Sequence, residues 1–426
     1  MSGEERGSQA AGAAELVEAA EEAEATSSAV AVATVEPVVD EAAATDAAAE
    51  EPEAKPEPES EVKRPRARQW VNMRGSSMDL RCGVGNTSNA ARDLRSAVGK
   101  PHACALAHDA DVDPAYLESL RRDLTDQGFA TTVLEVPAGA LDLPSVAELD
   151  QALARAGITS DDLVCVVGRE RTLSLASFAC ATWCGGVSLA QVPLDVVSAL
   201  TCGVTPRALD LPGSPRSIVQ EGATRFCICD LEVLRPDPAS EDARHGFALM
   251  VASAMGDSEK AFSRLWDRAE DLVSGDEGAW VDQLADTTKS RGRIVSSTAL
   301  AVRQSVSYGQ DFAYALQAAT AGAVPFSTCL ADGLRFSARI AVVQETLSID
   351  DMFTQDELLE RLGLPACEVA VDAETLVDAL KAERFARSRR FMLPIPRALG
   401  RVRPTVVEDD LLREHVTAWC ETRVAG

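Results

Sequence analysis

The chain has 426 residues, of which 25% are charged and 4% aromatic, and its formal net charge is −26. That length allows two domains in addition to a terminal tail. The acidic excess is uneven, because residues 1–60 hold 16 acidic side chains against two basic ones, whereas the rest of the chain holds 51 against 39. The mildly acidic remainder argues against nucleic-acid binding, which requires clustered Lys and Arg.

Several features predict a soluble cytoplasmic protein that does not enter a membrane. No apolar run reaches the roughly 20 residues of a membrane-spanning helix. The N-terminus lacks the basic and apolar regions of a signal peptide. The eleven cysteines form no regular framework, and we expect them to be free, mostly buried thiols in a reducing compartment. Cys227 and Cys229 are too close in sequence for the usual zinc knuckle.

Residues 1–68 predict a disordered acidic tail. The segment is rich in Ala, Glu, Val and Pro, and it cannot bury enough apolar surface to offset the entropy of ordering. It ends in a short basic run, Lys63–Arg68. We interpret this run as a solubilising linker in preference to a docking motif.

Residues 80–235 alternate between strand and helix patterns, which predicts a Rossmann-like α/β domain. The run Leu163–Val167 is apolar on both faces, as is typical of a strand in a parallel sheet covered by helices. The other predicted strands are residues 103–107, 131–136, 187–192 and 226–231, and the predicted helices are residues 114–128, 146–156 and 174–184.

Residues 236–426 predict a second, all-helical domain, because strand patterns fade after Arg235. One late strand is expected near residues 389–393. The predicted helices are residues 243–255, 260–273, 294–320, 330–346, 355–362, 373–382 and 409–422.

The order of short motifs resembles the 3-dehydroquinate synthase family, whose layout is related to that of the iron-dependent alcohol dehydrogenases. The first run is Asp161–Val164, followed by Gly168, Phe178–Trp183 and Gln191–Pro193. Further matches are Asp230-Leu231, Tyr308-Gly309, Ala318–Thr320, Glu360–Pro365 and Leu411–Glu414. The resemblance covers about residues 80–425 and keeps the order of the segments.

The resemblance implies a cyclisation of a seven-carbon sugar phosphate. Bound NAD transiently oxidises a hydroxyl, phosphate is eliminated and the hydride is returned, while a divalent metal held by one Glu and two His polarises the oxygens. Lysines, an Arg and an Asn bind the phosphate and carboxylate of the substrate.

The positions that the resemblance assigns to NAD are largely replaced. Gly168 is retained, but Arg169 and Glu170 stand where two further glycines let the backbone approach the pyrophosphate, and Ser174 stands at an Asp position. Asp109 is the retained residue of the nucleotide-contacting segment. We therefore expect side-chain crowding and charge repulsion, and little or no NAD affinity.

The positions that the resemblance assigns to substrate and metal are also replaced. Thr201 stands at an Asp, Arg207 at a Lys and Ala252 at a further Lys. Arg207 can bind a phosphate, but its planar guanidinium does not reproduce the point charge of a lysine ammonium. We therefore favour the interpretation of Arg207 as an ordinary surface arginine. The three metal-ligand positions hold Leu249, Gln310 and Phe326, with Tyr314 at a neighbouring His and Ser307 at the Asn.

Zinc requires nitrogen, sulfur or carboxylate donors, so we expect no metal. The four His residues share no ligand-like spacing, and we interpret them as ordinary surface or core residues.

Three hypotheses remain open. The first is an inactive synthase-like protein that binds a small molecule or a partner. The second is an active dehydroquinate synthase of the shikimate pathway, dependent on NAD and zinc or cobalt, with substituted residues. The third is a structural subunit that forms a homo-oligomer or pairs with an intact synthase. Bound metal and NAD distinguish the second hypothesis from the others, and co-purification with an intact synthase distinguishes the third from the first.

Overall fold

The computed structural model describes residues 64–97 and 101–423, and all of them fall within a single compact unit. The predicted disordered tail lies outside the described residues, apart from its last five positions. None of the helices in the described ranges is both long and apolar enough to cross a membrane. All eleven cysteines are in these ranges as free thiols, and Cys184 is the exposed one.

A seven-stranded sheet dominates the first half of the described chain, in the order β1-β2-β9-β6-β5-β3-β4. β1 pairs antiparallel with β2, and the other neighbours are parallel. The strands are β1 Arg66–Met73, β2 Ser76–Gly83, β3 Ala103–Asp109, β4 Ala130–Val136, β5 Leu163–Gly168, β6 Ser188–Pro193 and β9 Thr224–Asp230, with a hairpin of β7 Leu209–Leu211 and β8 Ser214–Ile218. β5 is buried along its whole length, as its apolar sequence predicts.

Helices connect these strands and cover both faces of the sheet. They are α1 Ala90–Ala97, α2 Pro114–Asp126, α3 Leu143–Arg155, α4 Glu170–Thr182, α5 Val196–Thr201 and α6 Leu231–Leu234. Asp113, Asp142 and Asp195 cap the starts of α2, α3 and α5 by accepting backbone N–H bonds. α4 lacks a side-chain cap, because Arg169 holds the capping position.

The second half is mainly helical. Its elements are α7 Glu241–Asp257, α8 Glu259–Ser274, α9 Glu277–Ser296, α10 Leu300–Gln304, α11 Gln310–Ala319, α12 Phe326–Val343, α13 Ile349–Arg361, α14 Ala373–Phe385, the hairpin of β10 Met392–Ala398 and β11 Arg401–Val406, and α15 Asp409–Arg423. α7 is buried on nearly all sides, which explains its weak amphipathic pattern. The fold class predicted from the sequence, an α/β part followed by a helical part, is confirmed.

The structure corrects several predicted elements. Strands β1 and β2 were not predicted, and β1 includes residues 66–68, which the sequence assigned to the tail. The single predicted helix over residues 294–320 is wrong, because the chain there contains the end of α9, the short α10, a turn and α11. Most of α9 was missed since its buried face carries polar residues, among them Thr287, Thr288 and Ser290.

Two glycines fix the position of α11 against α12. A Cβ on Gly333 would collide with the backbone oxygen of Gly309, so the α12 backbone lies directly against the turn before α11. Gly309 has φ +78° and precedes Gln310, the first residue of α11. This close approach positions the start of α11 at the candidate site.

Candidate functional site

A cavity of about 280 Å³ is lined by residues of both halves of the fold. The sheet half contributes the start of α4, one face of α5, the segment after α5 and strand β8. The helical half contributes α7, α9, the start of α11, the first residue of α12 and the end of α14. This volume is close to the lower bound of ligand pockets, about 300 Å³, and so suits a small metabolite.

Leu249, Gln310 and Phe326 all line this cavity. Leu249 is fully buried on α7, whereas Gln310 and Phe326 are partly buried and begin α11 and α12. Residues that are far apart in sequence thus meet on one wall, and the wall they form is mostly apolar.

Aromatic rings pack around Phe326. The His245 ring lies edge-on at 4.9 Å between centroids, and the Tyr314 ring lies at 5.0 Å. The guanidinium of Arg216 stacks on Tyr314 at 3.6 Å from the ring centroid. Burial, with the nearby charge of Arg291, lowers the pKa of His245 to about 4, so this imidazole is neutral at pH 7.

A network of arginines and carboxylates also lines the cavity. Arg216 binds both oxygens of Glu383 at 2.8 and 2.9 Å, and Arg387 binds the same carboxylate at 2.6 Å. Because Arg216 lies on β8 and Glu383 on α14, this pair joins the sheet half to the helical half. Arg216 has a left-handed φ of 53°, a strained conformation that the contacts to Glu383 and Tyr314 hold in place.

Two acids in the cavity have raised pKa values. Burial raises the pKa of Asp311 to about 6, and Arg384, 3.8 Å from its Oδ2, offsets only part of the effect. Burial also raises the pKa of Glu170, against the opposing charges of Arg207 and Arg216. Glu170 lines the cavity together with these two arginines.

Arg291 on α9 is 3% exposed and lines the same cavity. It donates to the hydroxyls of Ser253 at 3.3 Å and Thr205 at 2.7 Å, both of them neutral groups. Burial lowers its pKa to about 10, so the guanidinium remains charged at pH 7.

The loop after β5 is held by side chains instead of glycines. Asp109 accepts a bond from the backbone N–H of Arg169 at 2.8 Å, and the Arg169 side chain binds Asp111 at 2.9 Å. Arg171 donates to the carbonyls of Gly139 and Ala140 at 2.7 and 3.0 Å. These contacts tie the start of α4 to the loops after β3 and β4.

The remaining predicted site residues divide between the cavity and the core. Thr201 lines the cavity, and so does Arg207, which is about three-quarters buried and bound to Asp210. Ser174 lies in the core and accepts the backbone N–H of Arg207 at 2.9 Å. Ala252 is buried on α7 outside the cavity lining.

Gly168 is also buried, and a Cβ there would lie 3.0 Å from Thr172 and 3.1 Å from Asp109.

Sequence reasoning missed His245, Arg216, Arg291 and the Glu383–Arg387 segment as cavity residues. His245 could have been predicted from the sequence, since it precedes Leu249 by four residues and so lies on the same face of α7. The positions of the arginines could not, because they depend on packing between distant elements.

Nowhere in residues 64–97 and 101–423 do three His, Cys, Asp or Glu side chains group closely enough to hold a metal ion.

Relatives with sequence similarity are dehydroquinate synthases. The 3-dehydroquinate synthase of Prochlorococcus marinus (strain MIT 9313) is 24% identical over 324 residues, covering 73% of this chain and 85% of that protein. The enzyme of Rhodopirellula baltica is 23% identical over the same length and the same shares of both chains. No protein-family model matches the sequence.

Solved structures have the same fold. A 2-deoxy-scyllo-inosose synthase matches with a TM-score of 0.68 at 14% identity, over 82% of this chain and 99% of that chain. The same enzyme is known with carbaglucose-6-phosphate, NAD⁺ and Co²⁺.

The 2-epi-5-epi-valiolone synthase of Streptomyces hygroscopicus subsp. jinggangensis 5008, with NAD⁺ and Zn²⁺ bound, matches with a TM-score of 0.67 at 16% identity. The match covers 82% of this chain and 98% of that chain. An iron-containing alcohol dehydrogenase from Thermococcus thioreducens matches with a TM-score of 0.56 at 15% identity, over 83% of this chain and 99% of that chain. On motif order, sequence similarity and fold together, the chain is similar to the 3-dehydroquinate synthases and shares their type of fold.

Proposed function

We propose that this protein binds a small organic molecule in the cavity without metal or NAD, and that it does not make dehydroquinate. The observation that carries the proposal is the composition of one wall. Leu249, Gln310 and Phe326 stand at the positions where the resemblance implies the metal ligands, and all three side chains line the cavity.

The donor atoms of the cavity do not suit zinc or cobalt. Leu249 and Phe326 have no donor atom, and Gln310 has only a neutral amide. A catalytic zinc site takes three protein ligands, usually His, Glu or Cys. His245 can supply one neutral nitrogen, but Glu383 is already bound by two arginines. Glu170 and Asp311 also line the cavity, yet among the described residues no three His, Cys, Asp or Glu side chains lie close enough together to hold a metal ion.

The start of α4 supports weak or absent NAD binding. A pyrophosphate at such a helix end needs open backbone N–H groups and close approach of the main chain. Arg169 and Arg171 instead bridge this end to neighbouring loops through Asp111 and the carbonyl of Gly139. A dinucleotide must displace these contacts before it can bind.

The loss of a Lewis acid removes several kcal/mol of transition-state stabilisation from a reaction that polarises substrate oxygens. The cavity nevertheless has a volume of about 280 Å³ and is lined by five arginines. Binding without turnover is therefore the function that these side chains support best.

Two measurements on the full-length protein test this proposal. Elemental analysis after purification in zinc-containing buffer should find well under one metal ion per chain. Calorimetric titration with NAD should give a dissociation constant weaker than about 1 mM, which corresponds to about −4 kcal/mol. Stoichiometric zinc or micromolar NAD binding would contradict the proposal.

The decisive assay supplies NAD, zinc or cobalt and the seven-carbon sugar phosphate, and it measures released phosphate. An intact dehydroquinate synthase in the same buffer is the positive control. We expect no release above the reaction without enzyme. Release that a chelator abolishes would instead support an active, metal-dependent synthase.

A further inference from the structure

Arg291 is a buried cation without a carboxylate partner among the described residues. Its contacts are the hydroxyls of Ser253 and Thr205. Both hydroxyls also donate to backbone carbonyls, Ser253 to Leu249 and Thr205 to Thr201, so neither depends on Arg291. Burial of an uncompensated charge is costly, and proteins otherwise pair such groups.

The guanidinium has hydrogen-bond donors that are not used. An arginine has five N–H donors, and the contacts to Ser253 and Thr205 use two of them. Its Nε is buried and has no hydrogen-bond partner among the described residues. Asp311 Oδ2 and Arg384 Nε, which also belong to cavity residues, are buried and unpartnered in the same way.

The other arginines of the cavity are already matched by carboxylates. Arg207 binds Asp210, Arg216 and Arg387 share Glu383, and Arg384 lies beside Asp311, while Glu170 faces Arg207 and Arg216. Five arginines therefore meet four carboxylates. One positive charge is left, and Arg291 is the arginine without an acid beside it.

The cavity that Arg291 lines also has apolar side chains. His245, Leu249 and Ser253 are spaced four residues apart on α7 and form one stripe, with Arg291 bound at the Ser253 end. Leu249, in the middle of this stripe, lines the cavity, and so does the ring of Phe326, which packs against His245 at the other end.

We propose that Arg291 binds the oxyanion of a small organic monoanion, a carboxylate whose apolar body packs against Leu249 and Phe326. This assignment rests on the proposed function of the cavity as a ligand site. A monoanion supplies the one missing charge, and Arg presents a fork that matches a carboxylate. The apolar wall selects a ring or branched chain over a polyol.

Three probes separate charge from shape in calorimetric titrations of the full-length protein at pH 7. Benzoate carries the ring and the charge, benzyl alcohol only the ring, and inorganic phosphate only the charge. Benzoate should bind at least tenfold more tightly than either of the others. If phosphate binds as tightly as benzoate or more tightly, the contribution of the apolar side chains is refuted. If no benzoate binding is detected at 50 mM, on the order of the weakest measurable affinities, the whole assignment is refuted.

Variants of one helix test the role of Arg291. Arg291→Met should weaken benzoate binding at least tenfold while leaving the unliganded protein at least as stable as the wild type. Arg293→Met is the matched control, because Arg293 pairs with Asp257. It should lose stability and keep benzoate affinity. Unchanged benzoate binding by Arg291→Met, or a large loss of unliganded stability, would show that Arg291 is structural.

The outcome is distinct from that of the proposed function. Zinc-dependent phosphate release would refute the absence of catalysis without changing the benzoate result. Conversely, a metal-free and inactive protein that ignores benzoate would refute only the ligand class.

Discussion

Restoration of the implied metal ligands offers a direct test of the cavity's geometry. The triple variant Leu249→Glu, Gln310→His and Phe326→His replaces an apolar wall by one carboxylate and two imidazoles. Leu249 is 3% exposed, so its replacement removes about 2 kcal/mol of apolar burial. A carboxylate without a partner at that position adds a desolvation penalty, and we expect the metal-free variant to be about 3–5 kcal/mol less stable than the wild type.

Zinc should restore most of this loss if the three side chains converge. A free zinc concentration 1,000-fold above the dissociation constant stabilises a folded protein by about 4 kcal/mol. The assay is thermal unfolding with and without zinc, together with calorimetric titration at pH 7. The double variant Gln310→His and Phe326→His, which lacks the carboxylate, should bind zinc more weakly.

The wild type should not respond to zinc. A triple variant that is folded by circular dichroism, yet shows neither a zinc-dependent shift in melting temperature nor zinc binding, would refute the inference that these positions form one metal site.

Three further predictions follow from the cavity and the packing behind it. Because the folded-state pKa of Asp311, about 6, lies above its unfolded value, the stability it contributes is fully present below about pH 4 and is lost as pH rises through 6. That loss is about 3 kcal/mol. The free energies of unfolding in urea of the wild type and of Asp311→Asn should therefore diverge between about pH 4 and pH 6. Parallel pH dependences would contradict the raised pKa of Asp311. Glu383→Gln should lower the free energy of unfolding by about 1–3 kcal/mol, because it releases Arg216. It should also strengthen the binding of inorganic phosphate in calorimetry, since it adds one net positive charge to the cavity. An unchanged affinity for phosphate would contradict the balance of charges described above. Gly333→Ala should lower the free energy of unfolding by at least about 2 kcal/mol, because its methyl group collides with the backbone of Gly309, and a neutral effect would disprove this close packing.

The sequence predicted elements best where burial and periodicity agree. The buried strand β5 and the capped helices α2 and α3 lie within a few residues of their predicted bounds. Prediction failed where local signals are mixed. β1 has exposed polar residues alternating with partly buried ones, and it directly follows the acidic tail, so its strand pattern was not separated from the tail.

The candidate site was predictable only as a set of replaced positions. The resemblance identified Leu249, Gln310 and Phe326, and the fold brings them to one cavity. The charged side chains of the same cavity depend on tertiary contacts such as Arg216 with Glu383, which are 167 residues apart. Arg291 lies on α9, a helix whose polar buried face concealed both the element and its role.

The residues that line the cavity differ in the desolvation cost of their burial, and this difference bears on the function of the cavity. Leu249 and Phe326 avoid the desolvation cost that an unmetallated carboxylate or imidazole would carry. Arg291 keeps such a cost, because it is buried and has no acid partner among the described residues. If stability alone had shaped this pocket, an apolar residue would serve better at position 291 as well. A cation retained beside an apolar wall is instead suited to bind an anion, which supplies the missing partner when it enters.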